Sequence, residues 1–270
     1  MSENPEADGG VAPLLDPDEP PPVTVRAADG ASPFLLTCDH ASRRVPRRLG
    51  DLGVSDADRA RHIGWDIGAL VVAETVSDRL GATLYAAGYS RLVLDLNRPE
   101  GAPDRMPTVS DGTPVPANEG LGTAEREARV KALFEPYHGA IAADLDRRQA
   151  ARRPTFLACI HSFTPRMRGF DRPWHIGACH GPDPRMALLL AQALRREPEL
   201  VVGVNEPYSV GRDSDYGVPV HGDDRGIPSV LIEIRQDLIT APADALAWGE
   251  RLARCLAAIE PDLLQPGAIP

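Results

Sequence analysis

The stretch Phe34-Leu35-Leu36-Thr37-Cys38-Asp39-His40 is a short apolar run with one β-branched residue, followed at once by two residues that carry chemistry. A run of this length bounded by polar residues reads as a buried strand that stops at a working loop. Outward from it, the pattern alternates. Asp66 opens a segment whose Ile67, Leu70, Val71, Ala73, Val76 and Leu80 fall on one helical face, and Gly81 ends it. Ala82 to Ala86 and Leu92 to Leu96 follow as candidate strands. Thr123 is placed to cap a helix carrying Leu133, Phe134, Tyr137, Ile141 and Leu145, with a kink expected at Pro136. Further strands are expected at Thr155 to Ile160, His175 to Cys179, Val201 to Val204 and Ser229 to Ile234, with helices at Pro184 to Arg195 and Pro242 to Ile259. Short strands alternating with helices predict an α/β fold, a mixed, mainly parallel sheet covered on both faces. In such sheets, sites form at the carboxyl ends of the strands.

Composition narrows the function classes. The 270 residues are 43% hydrophobic but only 5% aromatic, so the core must be mostly aliphatic. With 29 Lys and Arg against 39 Asp and Glu, the net charge of -10 argues against nucleic acid as a partner. No run is long enough to cross a membrane, and the opening Met1 to Gly10 lacks the basic start and apolar stretch of a signal peptide, so a cytoplasmic protein is expected. The segment 1–22 is acidic, ends in Pro20-Pro21-Pro22 and has no periodicity; it is expected to be disordered or loosely draped, ahead of one domain over 23–270. Cys38, Cys159, Cys179 and Cys255 form no C-x-x-C pair and read as buried thiols. The region Pro99 to Gly122, rich in proline and glycine, reads as a long functional loop.

Several polar residues sit where strands end. His40 and His161 each follow an apolar run, and two neutral imidazoles meeting in one cleft suit a divalent metal such as zinc. Either histidine alone also fits a structural, hydrogen-bonded role. Asp66 or Asp39 would supply a third, oxygen ligand. Glu233 interrupts the apolar run Val230 to Ile234, so it faces either a polar cleft, as a general acid or base, or an ion-pair partner. Arg91 and Arg98 bracket Leu92 to Leu96; Arg98 with Asn97 has the donors to hold a carboxylate, and Arg43 and Arg235 are further candidates for an anion pocket. The G-x-S-x-G, G-x-x-x-x-G-K-[ST], G-x-G-x-x-G and H-E-x-x-H patterns are all missing.

The ordered set Asp39-His40-Ala41-Ser42, Gly64-Trp65-Asp66-Ile67-Gly68-Ala69, Ser90 to Pro99, His161-Ser162-Phe163-Thr164-Pro165, Arg172-Pro173-Trp174-His175-Ile176-Gly177, Asn205-Glu206-Pro207-Tyr208 and Ile232 to Ile239 resembles the N-formylglutamate amidohydrolase family. The resemblance implies a three-layer αβα sandwich, phosphorylase/hydrolase-like, related to zinc carboxypeptidases and aminoacylases. It also implies zinc held by His40, Asp66 and His161, Glu233 as general base, Arg91 beside the developing oxyanion, and Asn97-Arg98 on a substrate carboxylate. The expected reaction is hydrolysis of a small acidic N-acyl amino acid, N-formyl-L-glutamate first among them. His175 and His221 are candidate extra pocket donors that fit structural roles better. The H-x-x-E pair of zinc peptidases is absent, Arg43 standing where its glutamate would be. That keeps open a noncatalytic binding protein that retained the pocket without the metal. A metal-free hydrolase using Ser42 or Ser162 is a third reading.

Overall fold

The apolar run at 34–38 forms strand β2 (Phe34–Cys38) in a computed structural model that describes residues 13–265. The other strands of the main sheet are β1 (Val23–Arg26), β3 (Thr83–Ala87), β6 (Phe156–Phe163), β9 (Ile176–Cys179), β10 (Val202–Val204) and β11 (Ser229–Arg235). Two small hairpins, β4 (Val109–Ser110) with β5 (Thr113–Pro114) and β7 (Arg166–Met167) with β8 (Phe170–Asp171), lie outside it. The sheet order is β1-β3-β2-β6-β11-β9-β10. Its centre, β3, β2, β6 and β11, is parallel, while β1 and β9 run against their neighbours β3 and β11. This is the mixed, mainly parallel sheet expected from the alternating pattern.

Strand periodicity divides the core into two layers. Leu36, Cys38, Ile160 and Ile232 face helices α2 (Ala69–Leu80), α5 (Arg185–Leu194) and α6 (Pro242–Leu263), the single-turn α1 (Asp56–Arg59) lying ahead of α2. Leu35, Leu157, Cys159 and Leu231 face the other way, toward Leu133, Tyr137, Ile141 and Leu145. The result is a three-layer αβα sandwich. All four cysteines are buried and unpaired.

Several elements depart from expectation. Leu92 to Leu96 is not a strand; it is a chain of turns, although Leu92, Val93, Leu94 and Leu96 are buried in the core. Side chains replace the ladder that a buried backbone otherwise needs. The Asn118 amide donates to Leu92 O at 2.9 Å, Arg129 donates to Val93 O at 2.9 Å, and Leu92 N donates to Ser90 Oγ at 3.2 Å. The expected helix after Thr123 is α3 (Thr123–Arg129) preceded by Gly122, whose N–H donates to the Glu125 carboxylate at 2.9 Å. A π-helical stretch, Val130–Phe134, then leads into α4 (Glu135–Ala150). Pro136 is the second residue of α4 in a helix that runs on from α3 without a break, so its missing N–H leaves a carbonyl of the preceding turn unbonded, and the irregularity lies in that π-helical stretch just before the proline. Of the segment 1–22, residues 13–22 lie against the body. Leu14 is buried, Tyr89 Oη donates to Pro20 O at 2.7 Å and Gly88 N to Pro22 O at 2.9 Å. Residues 1–12 are outside the described residues. Among those described, no helix is long and apolar enough to cross a membrane.

Candidate active site

Register places the first pair of polar residues. Glu233 on β11 is the parallel partner of His161 on β6, and two residues earlier Leu231 partners Cys159 on the same face. Both polar side chains therefore leave the sheet on the α4 side, at the carboxyl ends of the strands. His40 arrives from the adjacent strand, two residues past the end of β2. Asp66 is tied to it through the backbone, Asp66 N donating to His40 O at 3.0 Å. The expected helix at Asp66 begins only at Ala69, leaving Asp66 in the turn before it, where its carboxylate swings over the strand ends.

One oxygen gathers both imidazoles. Asp66 Oδ2 lies 3.2 Å from His40 Nδ1 and 2.9 Å from His161 Nδ1. The far ring nitrogens also meet carboxylates: His40 Nε2 is 2.8 Å from Asp95 Oδ1, and His161 Nε2 is 3.2 Å from Asp39 Oδ2. Asp39 in turn accepts from Tyr137 Oη at 2.6 Å. Arg91 closes the other side, donating to Asp95 Oδ2 at 2.6 Å and Asp66 Oδ1 at 3.3 Å. His40, His161, Asp66, Asp39 and Asp95 are each no more than 3% exposed. Burial works against the charge on each imidazole, yet the paired carboxylates outweigh it and raise both histidines above the ordinary range. Burial likewise opposes the charge on Asp39, but His161 holds it down at about 2.

His40, Asp66, Asp95 and His161 floor a cavity of about 680 Å³ whose lining also includes Arg91, Asn97, Arg98, Ser162, Tyr208 and Glu233. Glu233 is buried, its Oε2 has no hydrogen-bond partner, and burial pushes its carboxyl up to about 7. A carboxyl poised near neutrality can both accept and return a proton. His40, Asp66 and His161 form a group whose ligand atoms lie within 4.8 Å of one another, a nitrogen and oxygen donor set suited to a divalent cation.

The remaining expected residues divide. Arg98 and Asn97 line the cavity but are partly engaged: Arg98 Nε pairs with Asp104 at 2.8 Å, and the Asn97 amide donates to Asp215 and accepts from Tyr216 N and Gly217 N. Arg43 is exposed, 3.7 Å from Asp56, and Arg235 pairs with Asp237 at 2.8 Å; neither lines the cavity. His175 accepts from Val201 N, and His221 is bonded to His138, so both serve the framework. The Ser162 hydroxyl donates to Ile67 O at 3.0 Å rather than to a histidine. The loop 99–122 contributes Asp104, Pro107, Val109, Ser110 and Asp111 to the cavity wall. Asp95 was not anticipated; a lone carboxylate within an otherwise apolar run is the signal that marks it.

The sequence profile described as N-formylglutamate amidohydrolase matches residues 32–240, a span holding all of these groups. The chain belongs to the N-formylglutamate amidohydrolase family. Membership makes it a hydrolase acting on an amide C–N bond. An N-formylglutamate deformylase of Pseudomonas putida is 27% identical over 254 residues, covering 87% of this chain and 92% of the relative. One from Pseudomonas aeruginosa is 27% identical over 259 residues with the same coverage. The crystal structure of a gene product from Agrobacterium tumefaciens superposes with a TM-score of 0.86 at 36% identity, over 92% of this chain and 99% of that one. An N-formylglutamate amidohydrolase from Ralstonia eutropha shares the fold, with a TM-score of 0.70 at 19% identity over 90% of this chain and 98% of the other.

Proposed function

We propose that this protein is a metal-dependent amidohydrolase that cleaves a small acidic N-acyl amino acid, with N-formyl-L-glutamate as its substrate and formate and L-glutamate as products. The observation that carries the reading is the meeting of the His40, Asp66 and His161 group with the unpartnered Glu233 carboxyl on one cavity floor, in a chain of this family. The donor set fits a divalent cation. With the Nε2 proton of His40 given to Asp95, its Nδ1 lone pair is free to bind a cation beside Asp66, while Asp39 stands 3.2 Å from His161 Nε2 as a charge partner without hydrogen-bond geometry. A cation held there, zinc above all, supplies Lewis acidity, lowering the pKa of water to about 7 and polarising the acyl carbonyl.

The protein's own groups divide the remaining work. Glu233 takes the proton of the attacking water and returns it to the leaving nitrogen, as a group of near-neutral pKa can. Arg91 spends one N–H from each nitrogen on Asp66 and Asp95, which leaves a second hydrogen on each terminal nitrogen for the oxyanion. Arg98, half held by Asp104, contributes positive charge for a substrate carboxylate. Binding at these points fixes the amide over the cavity floor.

A panel of N-formyl and N-acetyl amino acids, assayed on metal-replete and chelated protein with elemental analysis of the same sample, tests the reading. Near-stoichiometric zinc with turnover of N-formyl-L-glutamate that chelation abolishes is the expected result. Protein that takes up no metal on zinc addition and turns over nothing would instead be the binding protein admitted by the missing H-x-x-E glutamate.

A further inference from the structure

A dianionic substrate needs positive charge that the protein has not already neutralised. Among the described residues lining the cavity there are three arginines, Arg91, Arg98 and Arg168. The first is matched by two aspartates and the second by Asp104. Arg168 has no carboxylate within ion-pair reach and no hydrogen-bond partner among the described residues. Its side chain reaches the cavity wall and is solvent-exposed, so it stands at the mouth while the reacting groups lie buried below.

The backbone at this arginine is unusual for the residue it carries. Arg166 pairs with Asp171 and Met167 with Phe170, so residues 168 and 169 are the two-residue turn of the hairpin. Both have positive φ, 50° at Arg168 and 83° at Gly169. Such a turn favours Asn-Gly, and a long side chain at its first position is held there against a steric cost. Five other described non-glycine residues share a positive φ, Arg152 among them at 53°, so what sets Arg168 apart is its place on the cavity wall without a carboxylate partner. The hairpin base is fixed, since Arg172 N donates to Pro165 O at 2.8 Å and the buried Arg172 guanidinium donates to Tyr208 Oη at 3.0 Å. The base of the hairpin is thus anchored, and its tip carries Arg168 on the cavity wall.

We infer that Arg168 is the specificity residue of the site, binding the substrate carboxylate remote from the reacting amide and so selecting acidic amino acids over neutral ones. This rests on the proposed amidohydrolase reading. The neutral analogue N-formyl-L-glutamine has the same shape without the charge, so kcat/KM for it and for N-formyl-L-glutamate is measured on the wild type, Arg168→Asn and Arg168→Lys. Asparagine suits the turn, so Arg168→Asn keeps or raises the melting temperature, while the preference for the acidic compound falls by about 10- to 100-fold, through KM rather than kcat. Lysine retains part of that preference. A preference unchanged within error, or an equal loss on both compounds, overturns the inference. Calorimetric binding of glutarate separates this outcome from failure of the reaction assignment. If neither formyl compound is cleaved, glutarate affinity that falls tenfold or more in Arg168→Asn still supports the carboxylate site, whereas equal binding, or none to either protein, removes it.

Discussion

Glu233 and His161 are direct partners on adjacent parallel strands, so a carboxyl without a hydrogen-bonding neighbour and an imidazole held by two aspartates share one face of the sheet. The pairing couples stability to chemistry. Burial lifts Glu233 to about 7 from an ordinary 4.5, which makes it a usable proton carrier and also makes its ionisation unfavourable to folding.

Glu233→Gln removes the proton carrier and the burial penalty together. Turnover should fall about 100- to 10,000-fold, the range for losing a general base. In chelated protein the folded carboxyl is raised, so its stabilising protonated form is fully present below pH 4.5 and is lost as the pH rises through about 7. The variant escapes that loss and should be more stable than wild type by about 3 kcal/mol at pH 8 but not at pH 4. Urea titrations at the two pH values check this, and wild-type turnover in the variant would remove Glu233 from the proposed mechanism.

Asp39→Asn should loosen the cation site without touching its three ligands. Asp39 faces His161 Nε2 at 3.2 Å and is itself held by Tyr137 at 2.6 Å. Zinc affinity by competition with a chromophoric chelator should drop about 10- to 100-fold, the cost of losing an outer partner of a ligating histidine. Tyr137→Phe should move it less, in the same direction. Equal affinity in all three proteins would leave Asp39 with a purely structural role.

What the chain discloses before folding follows from how each residue is placed. His40, His161 and Glu233 are legible because polar residues interrupt or follow apolar runs, and period-two strands carry them to predictable faces. Asp95 and Arg91 are harder. Leu92 to Leu96 has the composition of a strand, and only Asn118 and Arg129, from a distant loop and helix, supply the hydrogen bonds that let it stay irregular. Arg43 and Arg235 sit next to strand ends in sequence, but adjacency does not fix direction, and both pair with aspartates outside the cavity. Arg168 lies within the stretch between two recognisable motifs, and its significance comes from the hairpin that brings it to the cavity wall, which composition does not reveal.

His138 and His221 should make the fold acid-labile. His138 Nε2 donates to Leu96 O at 2.8 Å, so its Nδ1 must accept from His221 Nε2 at 2.9 Å, leaving His221 Nδ1 buried without a partner. Both rings are thus neutral, and burial pushes them down to about 4 and about 3. A depressed folded value means full stability above the unfolded value near 6.5, lost as the pH falls toward the folded values. For His138 alone the loss amounts to about 3 kcal/mol by pH 4. Urea midpoints between pH 7.5 and 5 should fall more steeply in wild type than in His221→Leu, and parallel slopes would show that the pair does not set the acid limit.

Gly68 links the sandwich to the site. It has φ 80°, and a Cβ there would lie 2.2 Å from Ile239 O and 2.8 Å from Ile239 Cγ1. It also caps α2 two residues after Asp66, so any shift that relieves the clash drags the carboxylate that gathers both imidazoles. Gly68→Ala should therefore cost about 2 to 4 kcal/mol, strain plus clash, and weaken zinc binding as well. Gly81 at the other end of α2 separates the two effects. Its φ is 60° and nothing lies within 4 Å of a Cβ there, so Gly81→Ala should cost only about 1 kcal/mol and leave zinc affinity unchanged. Denaturation midpoints and zinc titrations on the two variants decide the matter: if they lose stability equally and neither alters zinc affinity, the turn at Gly68 does not govern the position of Asp66.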